Sequence, residues 1–96
     1  MQIIWRPSAI DDIEHARRYI AQFDPQAATR IFAGVRAAIR TLASSPDSGR
    51  LGRVAGTREL AVPRTPYVVA YTVIDKQFVV LAILHHAQEW PPNFQP

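Results

Sequence analysis

Two adjacent apolar runs, Tyr67–Ile74 and Gln77–His85, constrain this chain more than any other feature. Both are rich in β-branched and aromatic residues, and only Asp75-Lys76 separates them, so they read as two strands joined by a short hairpin turn. Just upstream, Leu60 and Val62 share a face by strand parity and Arg58 continues it. Pro63-Arg64-Thr65-Pro66 then forms a turn. Three successive strands with short connections make an antiparallel meander. Both parities of the last two strands are apolar. Val69, Tyr71 and Val73 make one face and Val68 and Ala70 start the other. In the last strand Val79, Leu81 and Ile83 lie on one face, with Phe78, Val80, Ala82 and Leu84 opposite. A 96-residue chain with two helices can hardly cover both faces. The sheet is therefore expected to curl on itself or to take another polypeptide on part of its second face.

The front half supplies the cover for one face. Gln2–Trp5 reads as a short strand joining the same sheet. Pro7 suits a helix start, and Asp11, Asp12 and Glu14 suit the positive end of a helix dipole. An apolar stripe of Ile10, Ile13, Ala16, Ile20 and Phe23 places the first helix over about Ser8–Phe23. Asp24-Pro25 ends it and starts the next. There Ala28, Ile31, Phe32, Val35, Ala38, Ile39 and Leu42 follow helical spacing, with Arg30, Arg36 and Arg40 off the stripe. Ser44-Ser45-Pro46 stops it. The expected architecture is α+β: an N-terminal strand, then an antiparallel two-helix hairpin packed on one face of an antiparallel β-meander. It forms a single domain over residues 1–96, with Pro91–Pro96 as a loose tail.

Hydrophobic content of 48% excludes a disordered chain. The absence of cysteine excludes a disulfide framework and a thiolate metal site. No signal peptide or membrane span is visible, so a soluble cytoplasmic protein with no membrane partner is expected. The formal charge is +3, carried by ten arginines and one lysine, Lys76. Between Ser48 and Pro66, Arg50, Arg53, Arg58 and Arg64 face one acid, Glu59. That local excess points to an anionic partner, either nucleic acid or an acidic protein. Gly49, Gly52 and Gly56 lie among these arginines. Their spacing matches neither a P-loop nor a dinucleotide fingerprint, so an ordinary arginine-bearing connector is favoured over a phosphate cradle, and no cofactor is expected.

The run Gly-Arg-Leu-Gly-Arg-Val-Ala-Gly-Thr-Arg-Glu-Leu-Ala-Val-Pro (49–63), then Pro66-Tyr67-Val68-Val69-Ala70-Tyr71, then Leu84-His85 and Trp90-Pro91, resembles the RelE/ParE superfamily. These are the toxins of type II toxin–antitoxin modules, which include plasmid stabilisation systems. The resemblance covers almost the whole chain. It implies a cognate antitoxin protein that wraps the toxin, and contact with operator DNA only through that antitoxin. RelE-type members cut messenger RNA on the ribosome (mRNA interferases), whereas ParE-type members poison DNA gyrase and are not nucleases. RelE-type nucleases carry basic residues where this chain has Val68, where Glu59, Leu60, Ala61 and Val62 leave only Arg58, and where it has Ala87 and Gln88. A nuclease must stabilise an anionic phosphorane. The ParE-like branch, a gyrase inhibitor without enzymatic activity, is therefore the expectation. The alternative is a RelE-like endoribonuclease.

His85-His86 carries that alternative. Imidazole can act as acid or base near neutral pH. Neighbours on a strand point to opposite faces, so one histidine at most should line a given cleft. His86 is the catalytic candidate, His85 sits at the core edge, and His15 on the first helix is expected in solvent. Arg50, Arg53, Arg58, Arg64, His86, Gln88 and Trp90 are the candidate contacts to target or antitoxin. Arg58 has a blander alternative, an ion pair with Asp12 or Glu14, and Trp90 either stacks on a base or packs against protein. No metal site is expected, because the two histidines diverge and Glu89 adds no second pair at ligand spacing.

Overall fold

A computed structural model of the chain describes residues 1–89. The expectations for Trp90 and for the tail 91–96 fall outside those residues. The elements run β1 (Gln2–Trp5), α1 (Pro7–Ala21), α2 (Pro25–Ser44), a 3-10 turn (Pro46–Ser48), β2 (Arg50–Leu51), β3 (Arg58–Ala61), β4 (Tyr67–Ile74) and β5 (Gln77–His85). They form one five-stranded sheet in the order β1-β5-β4-β3-β2. β1 pairs with β5 in parallel, and the other pairs are antiparallel. The sheet thus contains the meander and the N-terminal strand, plus a two-residue strand, β2, inside the stretch read as a loop. The described residues contain no helix long and apolar enough to cross a membrane.

α1 begins at Pro7, whose missing N–H costs nothing at a helix start. Its buried stripe is Ala9 and Ile13, with Ala16 and Ile20 packed at the core margin. Ile10 and Phe23 are instead exposed, at 51% and 74%. Two tethers explain the rotation. β1 runs out where the Arg6 N–H donates to the Val80 carbonyl. Beyond that point α1 serves β5 directly: the Ser8 hydroxyl donates to the Leu81 carbonyl, and the Asp12 carboxylate accepts from the Ile83 N–H at 3.1 Å. Those bonds satisfy backbone groups that no strand reaches and turn Ala9 toward the sheet. Phe23 lies past the helix end and meets Tyr19 edge to face.

α2 is capped by Asp24, whose side chain accepts from the Ala27 N–H. Its face of Phe32, Val35, Ile39 and Leu42 packs in the core with the sheet, and Ala28 on the same stripe is buried, as the periodicity requires. At the β4–β5 turn, Asp75 and Lys76 both adopt positive φ (51° and 61°). That geometry belongs to a two-residue turn whose twist matches paired strands.

Strand parity fails in β5. The register steps from Ala70↔Ala82 to Tyr71↔Val80, leaving Leu81 as an extra residue in a β-bulge. Ile83 and Val80 consequently face the helices, while Leu81 and Ala82 lie on the second face. The expected grouping of Val79, Leu81 and Ile83 on one face is corrected accordingly. The second face is itself buried: Ala70, Val79, Leu81, Ala82 and Leu84 form a cluster with Ile4 packed against it. Part of the cover is internal, since Thr72 donates to the Gly56 carbonyl at 2.7 Å and draws the β2–β3 loop over that face. The cluster therefore needs no second polypeptide to bury it. The sheet's exposed large apolar residues, Val73 and Ile74, lie at the hairpin end, with Leu51 on β2.

Candidate functional site

The arginine loop is organised by Glu59. Its side chain is only 1% exposed. One carboxylate oxygen lies 3.2 Å from the Arg50 guanidinium; the other accepts the Arg53 N–H at 2.8 Å and lies 3.6 Å from Arg53 Nε. The pairing of Arg50 with Glu59 across β2 and β3 sets this geometry. Two of the four arginines expected to meet a target are thus held by a buried acid of their own loop. Arg58 is held as well, donating to the Gly49 carbonyl at 2.8 Å and lying 3.8 Å from the Asp47 carboxylate. It does not pair with Asp12 or Glu14; Glu14 is engaged by Arg17 and Arg18 on its own helix. That hydrogen-bonded pairing with Arg17 holds the Glu14 carboxyl below its ordinary range. Arg64 differs, standing exposed in the β3–β4 turn at φ 62°, with no hydrogen bond or ion pair among the described residues.

Tyr71 latches the same loop from below. It stacks on Phe78 with ring centroids 4.6 Å apart. Its hydroxyl donates to the Pro46 carbonyl at 2.6 Å and accepts from the Gly49 N–H at 3.0 Å. Burial pushes its pKa upward, so it stays a neutral donor. A Cβ on Gly49 would sit 2.3 Å from that hydroxyl, and one on Gly52 would sit 2.1 Å from the Thr57 hydroxyl. Close backbone packing therefore accounts for these two glycines, as an ordinary connector requires.

The histidines do not diverge. β5 ends at His85, and His86 already belongs to the following turn. The rings stack 4.7 Å apart, nearly parallel at 25°. His85, expected at the core edge, is exposed; its ring meets Tyr67 edge-on and its Nδ1 accepts from the Ala87 N–H. His86 is bonded twice to the Pro66 carbonyl, through its backbone N–H at 2.8 Å and its ring Nδ1 at 3.3 Å. Gln88 closes the turn by accepting the His85 N–H and donating to the His85 carbonyl. His86 and Gln88 thus shape a strand end.

A cavity of about 400 Å³ opens between α1 and the ends of β4 and β5. Asp11, Asp12, His15, Tyr19, Tyr67 and His85 line it together with Gln88, and no arginine does. Burial pushes the Asp12 carboxyl up despite the Ile83 N–H it accepts, and neighbouring Asp11 adds to the rise. His15, exposed as expected, sits at the rim. Sequence reasoning missed this grouping, which joins residues some seventy positions apart; only the Asp12–His15 spacing on one helix face hinted at it. The cavity is lined by carboxylates and imidazoles, and no arginine or lysine lines it. Among the described residues no group of histidines and acids could hold a metal.

The fold is a two-helix hairpin on a five-stranded sheet, with the arginine loop fastened at the sheet's β2–β3 side. The chain belongs to the ParE toxin family of type II toxin–antitoxin systems: the family model for the ParE toxin of parDE modules matches residues 3–90. A protein of Sinorhizobium fredii named as the toxin candidate Y4kP is 37% identical over 90 residues, covering 94% of this chain and 93% of its own. Toxin RelE2 of Caulobacter vibrioides is 39% identical over 87 residues, covering 91% and 97%. A solved chain from a chromosomal ParDE system of P. aeruginosa shares the fold, with a TM-score of 0.81 at 22% identity over 88% of this chain and 95% of that one. Family membership brings an antitoxin protein as partner.

Proposed function

We propose that this toxin arrests growth by binding DNA gyrase and does not cut RNA. The observation that carries the reading is the cavity beside His85, where Asp11 and Asp12 stand and no arginine does. Three of the four loop arginines are meanwhile engaged by Glu59, Asp47 and backbone carbonyls. In-line cleavage through the 2′-OH needs an acid, a base and a cation at one phosphate. A protein target asks only for a shaped surface. Membership of the ParE family supports the same target. The site of action is then the cytoplasm, and operator DNA is met through the antitoxin.

The test is induction in a bacterial host together with gyrase supercoiling by the purified chain. Filamentation, a DNA-damage response, intact mRNA and inhibited supercoiling are expected, and a His86→Ala variant retains them. Rapid translational arrest, with message ends mapping inside codons and supercoiling unaffected, would overturn the proposal in favour of the endoribonuclease.

A further inference from the structure

Two cavities meet along the outer side of α2, one on each side of Pro63. The first, of about 240 Å³, is lined by Arg30, Ile31 and Gly34 of α2 and by Arg64 and Thr65 of the β3–β4 turn. The second, of about 280 Å³, is almost wholly apolar, lined by Ala38, Leu42, Leu60 and Pro63 with Thr41 and Ser48 at its margin. Neither the Arg30 nor the Arg64 guanidinium makes a hydrogen bond or ion pair with any described residue, and both residues are exposed. α2 also carries Arg36 and Arg40 and has no acidic residue anywhere in Pro25–Ser44. The floor is unobstructed, since a Cβ on Gly34 would meet no atom within 4 Å.

We propose that this groove between α2 and the β3–β4 turn docks an extended segment of the antitoxin, with an aliphatic side chain in the Leu42–Leu60–Pro63 slot and a carboxylate between Arg30 and Arg64. The proposal rests on the toxin–antitoxin family membership and is independent of which target the toxin attacks. Charge selects the acid, because two unpaired guanidiniums offer bidentate donors to a planar carboxylate. The adjoining apolar slot selects a polypeptide over a nucleic acid backbone, which has no aliphatic group to place there. Spacing follows from the helix. The α2 residues of the two cavities lie about eight positions apart, or roughly 12 Å at 1.5 Å per residue. An extended chain covers that in three to four residues at about 3.3 Å each. The antitoxin segment therefore carries its carboxylate three or four positions from its aliphatic anchor.

Gly34 provides a clean perturbation. A leucine there grows into open groove and replaces the poorest helix former but proline with a good one. The experiment measures affinity of the purified full chain for its antitoxin by biolayer interferometry. The variants are Gly34→Leu, Arg64→Glu and Lys76→Glu, the last placing the same charge change on the distant β4–β5 turn. Gly34→Leu and Arg64→Glu should each weaken binding by about tenfold or more, with melting temperature held, and Lys76→Glu by less than about threefold. If Gly34→Leu fails to fold, Arg30→Glu with Arg64→Glu against Lys76→Glu decides the matter. Affinity within about threefold of wild type for folded Gly34→Leu overturns the proposal, even if Arg64→Glu weakens binding through long-range charge alone. Loss of toxicity with antitoxin affinity intact overturns it too, assigning the groove to the target. Supercoiling assays on the unsubstituted chain test the gyrase reading separately.

Discussion

Replacing Glu59 should loosen the arginine loop and lower the stability of the whole chain. The Arg53 N–H bond to a carboxylate, at 2.8 Å, is charge-assisted and contributes about 1.5–3 kcal/mol. The two guanidinium pairs contribute less. Arg50 and Arg53 are 65% and 48% exposed, so each pair adds roughly 0.2–1 kcal/mol and re-solvates readily when broken. Glu59→Ala removes all three and leaves a hole under the loop, for a loss of about 2–5 kcal/mol. Glu59→Gln keeps a neutral acceptor for the Arg53 N–H, so its loss should be about half that. For a chain of this length each kcal/mol shifts the melting temperature by about 4–8 °C, so Glu59→Ala should melt at least about 8 °C below wild type. Circular dichroism melts would give the ranking, and amide exchange should show protection falling first in the β2–β3 loop. A Glu59→Ala melting point within about 4 °C of wild type, or a Gln variant no better than Ala, would refute the reasoning.

Asp12 has the opposite sign. Its folded carboxyl titrates above the ordinary 3.8 because of burial, so the ionised form costs stability at neutral pH, and that cost disappears as pH falls through the raised value. Asp12→Asn, which can still accept the Ile83 N–H, should raise the urea midpoint at pH 7, with the gain shrinking toward pH 4; a gain that grows on acidification would contradict this. Tyr71→Phe keeps the stack on Phe78 but strands the Pro46 carbonyl and the Gly49 N–H. It should cost about 1–3 kcal/mol in urea unfolding, and an unchanged midpoint would show that water replaces the hydroxyl.

Much of this fold was legible because it obeys simple periods. The stripe from Ala28 to Leu42 could only be a half-buried helix, and the two apolar runs flanking Asp75-Lys76 could only be a hairpin. The failures have physical causes. β2 is two residues long, too short to show alternation. Leu81 enters as a bulge, which shifts parity without altering composition. Ile10 and Phe23 continue a helical stripe, but the rotation of α1 is fixed by polar tethers at Ser8 and Asp12, which a hydrophobic pattern does not register. The site was less legible than the fold. The arginines were visible and Glu59 stood out only as the one acid among them; its burial depends on the β2 pairing that the sequence hid. The two histidines were placed on opposite faces by a strand rule that ceases to apply one residue early, because β5 ends at His85.

The parallel seam between β1 and β5 also governs when the molecule can exist. Gln2 finds its sheet partner at Gln77, and the first turns of α1 are moored to Leu81 and Ile83. The opening residues of the chain thus wait through most of translation for their neighbours. β4 has the same dependence, since β5 runs along its whole length. Closing pairings this distant is slow, on the order of milliseconds to seconds for chains dominated by such contacts. A chain truncated before residue 77 lacks the strand on which β1, β4 and α1 all converge. The sheet of this protein is complete only once β5 is available to β1 and β4.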